Sequence, residues 1–174
     1  MGIASARAAF GGPLALIGLV IAFLMAGWSA TAVAQTASSG PLYRVDLPPE
    51  RTLEEVELSI QSKAKGLNLA DVGSLDVAEG MRNRGIDYDR VYKVFQVCNL
   101  GLGAEVLREI PAFGAFIPCK IVVFEADDHL ALITYRPSYA LRYFPDAPPE
   151  ARRIAERIEA DIIEVMNTVK QGGF

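Results

Sequence analysis

The sequence predicts an α+β fold: one two-layer domain with about five strands in a single sheet, helices packed mainly on one face, and a long C-terminal helix. Three observations carry this. Val91–Cys98 is dense in β-branched and aromatic residues, the composition of a strand. Thr52-Leu-Glu-Glu55 is a capping box set directly before apolar residues at helical spacing. Ile154, Ile158, Ile162, Val165 and Val169 form one apolar stripe along the last segment. Strands interspersed with helices of this kind bury their apolar faces by laying helices against a sheet.

The chain opens with an address. Arg7 is the only charge ahead of the apolar run Leu14 to Ala26, and Ala32-Val33-Ala34 follows. A positive start, an apolar core short for a membrane span and an A-x-A end describe a secretory signal peptide over residues 1–34. Cleavage after Ala34 leaves 140 of the 174 residues, one domain with enough chain for a core without staples. Losing Arg7 leaves 16 basic residues against 21 acidic, a net charge of −5. An acidic balance gives no support to nucleic-acid binding, which needs a basic footprint. No second apolar run of spanning length follows, so the body is expected to be soluble. The competing reading is an uncleaved anchor, because Phe10-Gly-Gly-Pro13 and Gly27-Trp28 extend the apolar region toward spanning length. No cysteine follows the leader, which rules out a lipoprotein anchor. The expected location is the periplasm or exterior of a bacterium, with inner-membrane anchoring facing the periplasm as the alternative.

Residues 35–42 read as a flexible linker of small polar residues, and 43–174 as the single domain. A short strand is expected at Tyr43–Leu47, ended by Pro48-Pro49. The capped helix follows, with Leu53, Val56, Ile60 and Ala64 on one face and Gly66 as its stop. A second strand is expected at Leu67–Val72, and a short helix from Val77 to Arg84 stopped by Gly85. After the strand Val91–Cys98, a brief helix over Gly103–Ile110 is closed by Pro111. Cys119–Glu125 and Leu130–Tyr135 are two more strands joined closely enough for a hairpin. The last helix runs from about Pro148 to Lys170, with Arg152–Glu156 and Arg157–Asp161 pairing on its exposed side and Gly172-Gly173 beyond it.

Cys98 and Cys119 are the only cysteines, each at the end of a strand, with Asn99 and Pro118 as neighbours. An even count in an oxidising compartment invites a disulfide. Closing a loop of about twenty residues would stabilise by roughly 3 kcal/mol in the chain-entropy model. A right-handed β-α-β crossover would make the two strands parallel and put the thiols at opposite ends. The segment 111–118 reaches about 25 Å when extended, so the chain is also able to return and bring both thiols to one end. A structural or reducible bridge, buried unpaired thiols and an acting thiol all stay open. The spacing is not Cys-x-x-Cys, so the thioredoxin-type motif is absent. A thiolate pair is able to hold a soft metal such as copper as Cu(I). The lone histidine, His129, sits about 20–30 Å along the strand from Cys119 and reads as an exposed turn residue beside Asp127 and Asp128.

No Ser-His-Asp triad assembles from this chain. Gly101-x-Gly103 before the brief helix resembles an anion-binding turn but lacks a third glycine, so it reads as a helix cap turn. Tyr135, Arg136, Tyr139, Arg142 and Tyr143, with Phe144, form a candidate binding surface between the last strand and the final helix. Aromatic and arginine side chains together suit a protein partner or a planar ligand, or else fold onto the core.

Val97-Cys98-Asn99, a short helix, and Ile117-Pro118-Cys119-Lys-Ile-Val-Val-Phe124-Glu125 together resemble the domain of unknown function 302 family. The helix opening with Thr52-Leu-Glu-Glu55 is similar to that family's first helix, and the resemblance spans roughly residues 43–138. It implies a compact α+β domain of bacterial or archaeal proteins, able to form a homodimer. It carries over no catalytic residue. Asn99 is followed by Leu100 where the family commonly has Pro, so a different turn is expected after that strand. The expectation for function is an exported, non-enzymatic module that binds a small molecule or protein partner, with no cofactor. The alternatives are a thiol-based redox or soft-metal protein using Cys98 and Cys119, and a membrane-tethered accessory subunit held by its leader.

Overall fold

The structure, a computed structural model, describes residues 40–174. The expected leader (1–34), the tether reading that depends on it, and linker residues 35–39 lie outside the described residues.

The expected architecture is found, a five-stranded sheet with helices and a long C-terminal helix. The strands are β1 (Leu42–Asp46), β2 (Ala70–Asp76), β3 (Tyr92–Cys98), β4 (Cys119–Ala126) and β5 (His129–Tyr135). Their order is β1-β5-β4-β3-β2 and every pairing is antiparallel. The helices are α1 (Leu53–Gly66), α2 (Val77–Arg82), α3 (Leu100–Glu109), α4 (Pro137–Ala140) and α5 (Pro149–Gln171). Among the described residues no helix is long and apolar enough to cross a membrane.

β4 and β5 meet in a two-residue hairpin at Asp127-Asp128, where Asp127 adopts φ 40°. Asp tolerates this left-handed region because its short side chain bonds locally. From β3 to β4 the chain does not cross over. Ten residues of α3 lead about 15 Å away and the 3₁₀ turn Pro111–Phe116 reverses direction, so β4 enters at the end where β3 leaves.

The capping box of α1 forms as its spacing requires: Glu55 N–H donates to Thr52 Oγ1 at 3.3 Å, and Thr52 N–H to Glu55 Oε2 at 3.0 Å. Val56, Ile60 and Ala64 on its buried face meet Ile158, Ile162, Val165 and Val169 of α5 in one core with Phe95, Val97, Ile121, Val123 and Leu132 of the sheet. Each such side chain contributes about 1.5–3 kcal/mol on burial. Gly172 ends α5 at φ 78°, the left-handed cap that a side chain would resist.

Three local expectations are corrected. α3 starts at Leu100, not at Gly103, because Asn99 is the cap: its side chain accepts from Leu102 N–H at 3.2 Å. Gly101 and Gly103 therefore lie inside the helix rather than in a cap turn. β2 starts at Ala70 and runs to Asp76, since Leu67–Leu69 complete the end of α1 with Asn68 at φ 58°. A bulge between Asp71 and Gly73 hides its alternation from the sequence. On α5, Arg157 does pair with Asp161 at 3.0 Å, but Asp161 is buried, only 5% exposed. Arg152 turns instead to the carbonyls of Pro145 (2.8 Å) and Ala147 (3.2 Å). Those oxygens lie just ahead of a helix start that has no side-chain cap, and a guanidinium satisfies several at once.

Candidate functional site

The segment from Ile110 to Pro118 builds the site. Pro111 starts its 3₁₀ turn with a preset φ, and Phe113 is driven into the core at 1% exposure. Phe116 is left beside β5, stacked on Tyr135 (centroids 5.6 Å, 16° between planes) and on Tyr143 (5.9 Å, 11°). Phe113 and Phe144 complete the cluster, 5.7 Å apart. The Ile117–Pro118 peptide is cis, and β4 begins at the next residue.

These residues wall a pocket of about 250 Å³ lined by Gln96, Ala115, Phe116, Ile117, Pro118, Cys119, Lys120 and Tyr135. Its floor follows from strand register. Gln96 on β3 pairs with Lys120 on β4, and Ile121 pairs with Thr134, which sets Tyr135 of β5 on Lys120's other side. Alternation along each strand puts Gln96 and Lys120 on the sheet face away from Phe95, Val97 and Ile121, whereas Tyr135, the last residue of β5, also packs against the core. Thr134 Oγ1 donates to the Lys120 carbonyl at 2.6 Å and holds the two strands together below.

The Tyr135 hydroxyl is buried and has no hydrogen-bond partner among the described residues. Burial, reinforced by Tyr143, Tyr139 and Glu159, pushes its pKa up, so it stays a neutral donor. Lys120 makes no ion pair among the described residues, whereas Lys63 and Lys93 each hold a glutamate at 2.6 Å.

The antiparallel pairing brings Cys98 and Cys119 to the same end of the sheet on adjacent strands. They are not directly opposed, since Cys119 pairs with Val97. Both are buried and both are free thiols. Burial and then the nearby Cys98 push Cys119 up to about 12, and burial raises Cys98. Thiols held protonated in this way are weak nucleophiles. Asn99 caps α3, and Gly103 leaves room for Cys98, whose Sγ lies 3.4 Å from where a glycine Cβ would sit.

The aromatic-arginine surface divides. Tyr135 and Tyr143 join the pocket cluster, while Arg136 turns away to Glu159, with Nη2 2.7 Å from Oε1. Ser138 N–H donates to the same carboxylate at 3.0 Å, and Glu159 is only 7% exposed, so this is a structural clamp between β5 and α5. Arg142 lies over the Tyr139 ring at 4.2 Å on the surface. His129 stands at the opposite end of β4 from Cys119, with Nδ1 3.0 Å from Asp128 and Nε2 3.2 Å from Asp46. Among the described residues no group of three or more His, Cys, Asp or Glu is placed to hold a metal.

Sequence reasoning reached Cys119, Pro118, Tyr135 and Tyr143, and missed Gln96, Phe116 and Lys120. The signal in the sequence was polar Gln96 and Lys120 interrupting apolar strands. Only the register makes them neighbours.

A small two-layer module with a pocket at a sheet end is the class that fold and site define. The chain matches the family model described as "Domain of unknown function DUF302" over residues 43–169 and belongs to that family. An uncharacterized protein of Aquifex aeolicus (strain VF5) is 30% identical over 123 residues, covering 70% of this chain and 78% of its own. The crystal structure of an uncharacterized conserved protein DUF302 from Bacillus stearothermophilus superposes with a TM-score of 0.66 at 24% identity, covering 73% of this chain and 96% of that one. The likeness extends into α5, beyond the region 43–138 that the motifs marked. No activity is established for the family.

Proposed function

We propose that this protein is an exported, non-enzymatic module that binds a small molecule in the pocket between Phe116 and Tyr135. One observation carries the reading: Tyr135 lines a concavity walled by an aromatic ring and a proline, and its buried hydroxyl has no partner within the described fold. An unmatched buried hydroxyl costs about 1–3 kcal/mol, a cost that a ligand acceptor would remove. Larger concavities run along α5 and beside Tyr143–Pro148, but they are more open and have no such group. A fragment library screened by NMR against the full chain tests it. Hits are expected to shift Gln96 and Tyr135 resonances and to weaken in Tyr135→Phe and Phe116→Ala. Hits that ignore both substitutions sink the reading. Export is supported by the Arg7, Leu14–Ala26 and Ala32-x-Ala34 pattern. A mature N-terminus at Gln35 is the expected mass, and a protein retaining residues 1–34 supports the tethered form instead.

A second reading, thiol chemistry, is favoured by the position of Cys98 and Cys119 on neighbouring strands at one sheet end. It requires a reducible bridge, which a thiol titration of native protein with and without reductant measures, or bound Cu(I), which a Cu(I) titration measures.

A further inference from the structure

We infer that the pocket accepts a small organic carboxylate carrying a single apolar ring, an inference that rests on the binding reading above. The polar floor is a row across three strands, and each member offers a donor. Lys120 has three N–H donors and no acceptor, Tyr135 is a neutral phenol with an unspent O–H, and Gln96 presents an amide whose side chain makes no hydrogen bond among the described residues. Donor-bearing side chains lining one pocket call for an acceptor-rich ligand. A charged acceptor is favoured because the Lys120 ammonium has no carboxylate partner among the described residues, in a chain that is itself acidic.

One cation matches a monoanion better than a phosphate dianion. The start of α3 does not supply the pocket, since Asn99 takes its Leu102 N–H at 3.2 Å and none of its residues lines the cavity. The opposite wall is apolar: the Phe116 ring, Ile117 and Pro118. Size limits the body of the ligand. A cavity of about 150 Å³ suffices for benzene, so about 250 Å³ holds one ring and its carboxylate and little more.

Binding of benzoate, benzamide and phenyl phosphate to the full-length chain, followed by NMR shifts and Kd, tests the class. Benzoate is expected to bind at least about 10-fold more tightly than benzamide, which keeps the ring and lacks the charge. Lys120→Met is expected to remove that advantage, bringing benzoate down to the affinity of benzamide. Benzamide binding as well as benzoate, or Lys120→Met leaving benzoate unaffected, would overturn the carboxylate and leave the pocket standing. Phenyl phosphate outcompeting benzoate would overturn it too, in favour of a dianion. No shift at Gln96 or Tyr135 with any ring compound would overturn the pocket reading as well.

Discussion

The two ends of β4 are built on opposite principles. At the Ala126 end the chain reverses in two residues, and the charges match one another: Arg44 with Asp46 at 2.6 Å, and His129 with both Asp46 and Asp128. At the Cys119 end the chain arrives through a long aromatic segment, and its polar groups are left over: a buried hydroxyl, an unpaired ammonium and two protonated thiols. One end spends its polar groups on closure and the other withholds them. An unmatched buried group calls for an explanation, and of the two such atoms among the described residues, Arg51 Nε and the Tyr135 hydroxyl, it is Tyr135 that belongs to the pocket lining. That contrast, more than any motif, locates the candidate site.

The comparison breaks first at Phe113. Phe113→Ala removes the anchor of the pocket segment and is expected to cost about 3–5 kcal/mol in denaturant unfolding. A loss under about 1 kcal/mol would mean the segment is held by something else. Next come the thiols. Raising Cys119 from 9.0 to about 12 cuts its thiolate at neutral pH by about 1000-fold, so a disulfide reagent is expected to label Cys119 of the native protein, located by peptide mass, at least about 100-fold more slowly than free cysteine. Rapid labelling would return Cys119 to the reactive class.

A smaller effect has the opposite sign. Tyr135→Phe deletes the unmatched hydroxyl and is expected to stabilise the unliganded domain by about 1 kcal/mol while weakening ligand. Destabilisation would show that the hydroxyl is already satisfied. The smallest effect lies at the other end. Hydrogen bonds donated to Asp128 and then to Asp46 raise His129 above 6.5, so its folded form gains a proton more readily than its unfolded form. Its stabilisation is present below 6.5 and is lost as pH rises through the raised folded value. Asp46, held low by Arg44 and also by His129, and Asp128, held low by His129, lose their share only as pH falls into the acid range. The melting-temperature gap between wild type and His129→Gln is expected to be larger at about pH 5.5 than at about pH 8.5. An equal gap at both would show that the pairing of His129 with Asp128 and Asp46 does not stabilise the fold.

Local chemistry made much of the fold legible. Thr52 with Glu55 announced α1, Gly172 marked the end of α5, and β3 and β5 fall within one residue of their expected limits. The misses share a cause. Asn99 was seen as a neighbour of the thiol and not as a cap, because capping is decided by where the next helix turns. Arg152 was assigned to Glu156 on spacing, yet the carbonyls of Pro145 and Ala147 reach it only after the loop folds back.

The sequence by itself determined the class of fold, the helix limits set by caps and glycines, and the family, because these depend on residues close together in the chain. Tertiary structure alone decided that β3 and β4 run antiparallel, that both thiols share one end, and that Gln96, Lys120 and Tyr135 stand in a row. Those facts depend on strand register and on the direction of a return, which involve residues from 15 to 39 positions apart and are set by packing rather than by local preference.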